Sequence, residues 1–221
     1  MLPPFDDLRA ALADVADPDK APGMAAYMKD HFVYFGVQSK DRRAASKPWL
    51  RASRTIDADV LLDFAEACWS EREREFQYVG MDALRAGANN LPATALGRVR
   101  RLVETKSWWD TVDALAAWTV GPMVANHDLG SVMDEWIDDP NMWVARTAIL
   151  HQLGFKEDTD AERLDRYVGR RADDTEFFIR KALGWALRNF SRIDSDAVRA
   201  IVERHDDRLS GLTRREATKY L

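Results

Sequence analysis

A single cysteine, Cys68, in 221 residues excludes an internal disulfide framework and any zinc site built on paired thiolates. Set among apolar neighbours in LLDFAEACWS, it reads as a small core side chain rather than a nucleophile. Histidine is scarce too. His31, His127, His151 and His205 show neither i, i+4 pairing nor cysteine partners, so no metal site is expected. No run approaches the ~20 apolar residues of a membrane span. The amino-terminal MLPPFDDLRAALADVADPD is acidic, unlike a signal peptide, so a cytoplasmic location without a membrane partner is expected. A glycine-rich phosphate loop, a G-x-S-x-G elbow and a dinucleotide fingerprint are all missing, and no cofactor is expected. Positive charge is in deficit: 32 basic against 37 acidic residues give a net −5. That argues against a nucleic-acid binder that is basic all over, though not against a local basic face.

What the chain does have is an ordinary soluble balance, 46% apolar and 31% charged residues, and an uneven choice of base. Of the 32 basic residues 24 are arginine, the planar donor suited to phosphate, although genome composition alone gives the same bias. Apolar residues recur at three- and four-residue spacing in FDDLRAALADV, DADVLLDFAEACW and DAERLDRYV, while period-2 alternation is absent. An all-α protein is expected. Pro3-Pro4, Pro92 and Asp138-Asp139-Pro140 mark helix starts, and Gly36, Gly121 and Gly154 are expected as helix ends. No Pro/Ser-rich linker divides the chain, so residues 1–221 read as one domain.

Aromatic residues serve as register marks. Phe76, Trp109, Trp143 and Phe178 follow one another at 33, 34 and 35 residues, and 34 more lead to Leu212. Three of these units carry a base three positions on: Arg146, Lys181 and Arg215. A mid-thirties period with two helical segments per unit is the signature of an α-solenoid, whose inner helices offer one long concave surface. On such a surface Lys106, Arg146, Lys181, Arg188 and Arg215 would gather, with the acidic residues in turns and outer helices.

Two segments could carry chemistry. In TKSWWDTVD, Trp109 and Asp113 share a helical face, with Lys106 about a turn upstream and Ser107 placed to cap the helix. A tryptophan face beside a carboxylate suits a cationic target; the same spacing also fits a core aromatic and a solvated carboxylate paired with a base. In EFFIRKALGWALR, Phe178, Lys181, Trp185 and Arg188 form one stripe, matching either a phosphate backbone with sugars or bases on the rings, or bases snorkelling past a buried tryptophan. Arg146, one turn after Trp143, repeats the theme or pairs with an acidic neighbour. Tyr27, Gln38 and Arg43 are further polar candidates of ordinary composition.

Taken in order, AAYMKDHFVYFGVQSKDRR, EREFQY, TKSWWDTVD, NMWVARTAILHQL, EFFIRKALGWALR and LTRREATKYL resemble the bacterial DNA alkylation repair enzymes of the AlkD-like DNA glycosylase family, over nearly the whole chain. The resemblance implies a HEAT-like helical-repeat fold and monofunctional excision of N3- and N7-alkylated purines from duplex DNA; a solenoid that binds a duplex needs no partner subunit, so a monomer is expected. It implies that Asp113 is the catalytic aspartate and that Trp109 and Trp185 contact the damaged nucleotide. Tyr27, Gln38, Arg146, Phe178 and Arg188 would then face DNA, with Arg43, Lys106 and Lys181 as neighbouring contacts and Arg146 and Arg188 on the phosphates. The resemblance also implies that some relatives sharing the fold lack both glycosylase activity and the aspartate, which is present here. The alternative is a non-catalytic DNA-binding or protein-scaffold member on the same repeats.

Overall fold

A computed structural model describes residues 1–221. Ordered structure is helical throughout, apart from one isolated bridge between Val33 and Glu73. The chain forms two compact units, Met1–Lys106 and Ser107–Leu221.

The first unit holds α1 (Phe5–Ala13), α2 (Ala21–Tyr27), α3 (Ser39–Ala45), α4 (Lys47–Ala52), α5 (Ala58–Ser70), α6 (Arg74–Gly87) and α7 (Leu96–Glu104). Pro4 introduces α1, and the Asp57 carboxylate accepts the Asp59 N–H to start α5. The face of α5 formed by Leu61, Leu62, Phe64, Ala65, Cys68 and Trp69 is buried, and α5 packs on α6 and α7. Burying each of the larger side chains contributes roughly 1.5–3 kcal/mol. Cys68 is fully enclosed, and burial pushes its thiol far up.

The two residues opening α6 organise the loop before α3. Glu75, fully buried, accepts the backbone N–H groups of Phe35 (3.2 Å), Gly36 (3.0 Å) and Val37 (3.0 Å). Gly36 holds φ +88°, and a Cβ there would stand 1.9 Å from the Asp17 carbonyl oxygen, so only glycine fits. Arg74, also fully buried, lies 3.7 Å over the Phe32 ring and donates to the Lys106 carbonyl at 2.8 Å. This carboxylate–guanidinium anchor fixes the segment that carries Tyr34 and Gln38.

The second unit comprises α8 (Trp109–Leu115), α9 (Gly121–His127), α10 (Gly130–Trp136), α11 (Met142–Leu150), α12 (Ala161–Arg171), α13 (Phe177–Phe190), α14 (Ser195–Arg204) and α15 (Gly211–Ala217). Helix α11 lies against α8 and α13, and α13 against α15, the layered order of an α-solenoid. The register marks fall where a repeat requires: Phe76, Trp109, Trp143, Phe178 and Leu212 each stand within the first three residues of their helix.

Four local expectations fail. Gly36 does not end a helix but lies in the loop between α2 and α3. Gly121 does not end a helix: a π-helical stretch, Ala116–Val120, joins α8 to α9, and Gly121 keeps a right-handed φ of −52°. Pro122 lacks the N–H that would continue the regular ladder, which accounts for the widened turn. Ser107 is not the N-cap residue of α8, which starts from an extended Trp108; within the first turn Asp110 accepts the Thr111 N–H at 3.0 Å. Lys106 therefore stands outside the helix, in a left-handed conformation with φ 51°.

Arginines stitch helices to the next but one in the chain. Arg98 of α7 binds Asp63 (2.6 Å) and Glu66 (2.7 Å) of α5, Arg163 and Arg170 of α12 bind Asp134 (3.3 Å) and Asp138 (2.8 Å), and Arg204 of α14 binds Asp165. Of the acidic turns, Asp173 holds Arg208 and Asp206 holds Arg214.

His151 follows α11 and is fully buried, its Nδ1 2.6 Å from the Ala148 carbonyl and its ring edge-on to Phe155. Burial lowers its pKa to about 4. The unfolded chain, titrating near 6.5, then binds the extra proton between pH 6.5 and 4, so the stabilisation is complete above 6.5 and is lost as pH falls to 4. The linkage amounts to roughly 3 kcal/mol. Urea unfolding of His151→Gln should show a distinctly flatter dependence of stability on pH across this window than the parent; parallel curves would contradict the assignment.

Candidate nucleic-acid interface

The second unit holds a cavity of about 330 Å³ built from four helices. Helix α8 contributes Trp109 and Asp113, one turn apart; α11 contributes Arg146; α13 contributes Phe177, Phe178, Lys181, Trp185 and Arg188; and α15 contributes Glu216. Of the residues predicted from spacing, the Trp109–Asp113 pair and the whole Phe178–Lys181–Trp185–Arg188 stripe meet here. Trp108 points away from this face, packing against Trp143 and Phe178 at 5.8 and 5.0 Å between ring centres.

Asp113 is held by a fork. Arg146 Nε donates to Oδ1 at 2.7 Å and Nη2 to Oδ2 at 2.8 Å, while Nη1 donates to the Phe178 carbonyl. Burial pushes the Asp113 carboxyl above its ordinary range, and the Arg146 guanidinium opposes that shift. Arg146 is only 4% exposed. Three of its five N–H donors are engaged inside the protein, so little of it is open to the phosphate that the family resemblance implied for it. Its role here is to fix the position of Asp113.

The opposite charge pattern occupies the other wall. Lys181 Nζ donates to Glu216 Oε1 and Arg188 Nη1 to Glu216 Oε2, both at 2.5 Å. Lys181, and secondarily Arg188 and Lys219, hold the Glu216 carboxyl below its usual range despite some burial. The carboxylate is seated by close helix packing. A Cβ on Gly184 of α13 would come within 2.5 Å of the Glu216 Cβ, so glycine is what lets α15 approach.

Glu216 and the exposed Phe177 were not singled out from sequence. For Glu216 a signal existed. It stands four residues after the mark Leu212, as Asp113 stands four after Trp109. Arg215, the base expected at this point, is exposed, and Glu216 lines the cavity in its place.

The remaining candidates lie in the first unit. Tyr27 and Gln38 border an open depression of about 470 Å³ with Tyr34 and Tyr78, whose hydroxyls are 3.1 Å apart. Arg43 borders a separate groove with Arg54, Asp82 and Arg85, and its Nε approaches Asp82 at 3.4 Å. Asp82 also accepts from the buried Arg42 at 3.1 Å. Lys106 is half-buried, and its ammonium donates to the Glu71 carbonyl at 2.5 Å. Burial lowers its pKa, with the nearby Arg74 charge acting in the same direction. The expected position one turn before Trp109 is not realised.

Residues 8–221 match the family model described as DNA alkylation repair enzyme. The chain belongs to that family. Among solved structures, the predicted DNA alkylation repair enzyme from Enterococcus faecalis is 34% identical and superposes with a TM-score of 0.86, covering 93% of this chain and 96% of that one. AlkD2 from Streptococcus mutans and smu.31 from Streptococcus mutans UA159 share the fold at 15% identity, each with a TM-score of 0.63 over 91% of this chain and 99% of theirs. No curated protein matches the chain. In this DNA alkylation repair family member the aspartate, both tryptophans and the half-buried Lys181 and Arg188 line one cavity.

Because Arg146 compensates a buried carboxylate, Arg146→Met should strand Asp113 and lower the unfolding free energy by roughly 3 kcal/mol, read from urea titration. Arg146→Lys, which keeps charge but not the fork, should fall between the two. Equal stability of Arg146→Met and the parent would show that the pair is not the support described.

Proposed function

We propose that the protein is a monofunctional DNA glycosylase that hydrolyses the N-glycosidic bond of cationic N3- or N7-alkylated purines, such as 3-methyladenine and 7-methylguanine, in duplex DNA. The observation that carries this reading is the meeting of Asp113, Trp109 and Trp185 with Lys181 and Arg188 in one cavity. Carboxylate and aromatic faces suit a positive centre, and the two bases suit the phosphates beside it.

Alkylation at N3 or N7 gives the purine a positive charge. When the C1′–N bond breaks, the base departs with the bonding electron pair and becomes neutral, and positive charge moves to the sugar. Asp113 stabilises that charge electrostatically from a site where desolvation strengthens its field. Each of its oxygens accepts one N–H from Arg146 and keeps a further lone pair, so the carboxylate can also orient a water toward C1′. Water adds its oxygen to C1′, and its proton passes to the carboxylate and then to solvent. Trp109 and Trp185 supply ring faces to the developing charge and shield it from bulk water. Lys181 and Arg188 hold the backbone, and with no further help to the leaving group the reaction is confined to bases already labile through their charge.

Single-turnover release of 7-methylguanine from methylated duplex DNA tests this directly. Asp113→Asn should bind duplex DNA within about a few-fold of the parent yet release base at least about 100-fold more slowly. Undiminished release by that variant would remove Asp113 from the chemistry. A parent protein that binds but never releases base would be a DNA-binding member of the family without glycosylase activity.

A further inference from the structure

The cavity contains a second carboxylate that the proposed reaction does not use. Glu216 bridges Lys181 and Arg188, the two bases that can reach a phosphate, and its stem is locked against Gly184. Lys181 and Arg188 keep 40% and 24% of their side-chain surface exposed and Glu216 keeps 19%, so the carboxylate is the least exposed of the three. Asp113 stands in a separate pair, each of its oxygens on Arg146.

Resting on the glycosylase reading, we propose that Glu216 is a specificity-determining residue that makes productive binding conditional on positive charge in the bound nucleotide. When a nucleotide enters, its phosphate draws Lys181 and Arg188 away from Glu216. A neutral nucleotide leaves the Glu216 carboxylate poorly compensated, which opposes binding. A nucleotide with a cationic base or sugar supplies the missing positive charge, and the opposition vanishes. Glu216 thus acts on choice of nucleotide, through charge, while Asp113 acts on the bond.

The test compares two duplexes identical except at one position. One carries a tetrahydrofuran in place of deoxyribose, and the other a protonated pyrrolidine, which puts a positive charge in the ring. Affinities are measured at a single salt concentration, because phosphate contacts are salt-dependent. The parent should prefer the pyrrolidine duplex. In Glu216→Gln that preference should shrink about tenfold, mainly through tighter binding of the tetrahydrofuran duplex. Glu216→Asp, which keeps the charge, should retain most of it. Lys181→Gln, which leaves Glu216 with less compensation before DNA arrives, should widen it; this arm decides the matter even if Glu216→Gln does not fold. An unchanged preference in Glu216→Gln, equal weakening of both duplexes, or a narrowed preference in Lys181→Gln overturns the role. A parent with no preference for the charged ring would instead fail the glycosylase reading on which the inference rests. A parent preference that survives Glu216→Gln leaves that reading standing and removes only Glu216.

Discussion

The site depends on the fork between Arg146 and Asp113. An isolated carboxylate this enclosed would be strongly driven to take up a proton, and a protonated Asp113 could not stabilise a cation. Arg146 keeps the charge in place and fixes the plane of the carboxylate, and its third nitrogen ties the same fork to the Phe178 carbonyl on α13. Three helices, α8, α11 and α13, are therefore held in register by one guanidinium. Each belongs to a different repeat, so the spacing between repeats sets the geometry of the site.

The same device recurs with its order reversed. Asp113 takes its cation from the following repeat, 33 residues on, and Glu216 takes Lys181 from the preceding one, 35 residues back. In both, the base stands three residues after a register mark and the acid four after another. Outside the cavity, Arg98, Arg163, Arg170, Arg204 and Arg208 make comparable links between neighbouring helices or the turns that follow them. Much of the arginine bias is thus structural, and the net charge of −5 describes a chain whose bases are largely paired rather than one poor in contacts for an anion.

What could be read from sequence was set by intra-helix spacing. Trp109 with Asp113, and Phe178 with Lys181, Trp185 and Arg188, share faces because the α-helix puts positions three and four apart together, and all six reach one cavity. What could not be read was anything decided between helices. The burial of Arg146 and the recruitment of Glu216 in place of Arg215 depend on how one helix is rotated against the next, and the engagement of Lys106 by the Glu71 carbonyl on how two segments outside the helices meet. Backbone detail at element junctions was equally opaque: the extended Trp108 displaces Ser107 from its capping position, and the π-helical turn carries the chain through Gly121.

Cys68 has a chemical consequence for a protein of this family. Alkylating electrophiles react with thiolates faster than with most other protein groups, and a thiolate needs both deprotonation and access. Cys68 offers neither, being sealed between α5 and α6 with its thiol strongly held in the protonated form. The chain carries no second thiol. A protein of a DNA alkylation repair family therefore presents such reagents with no reactive thiolate of its own.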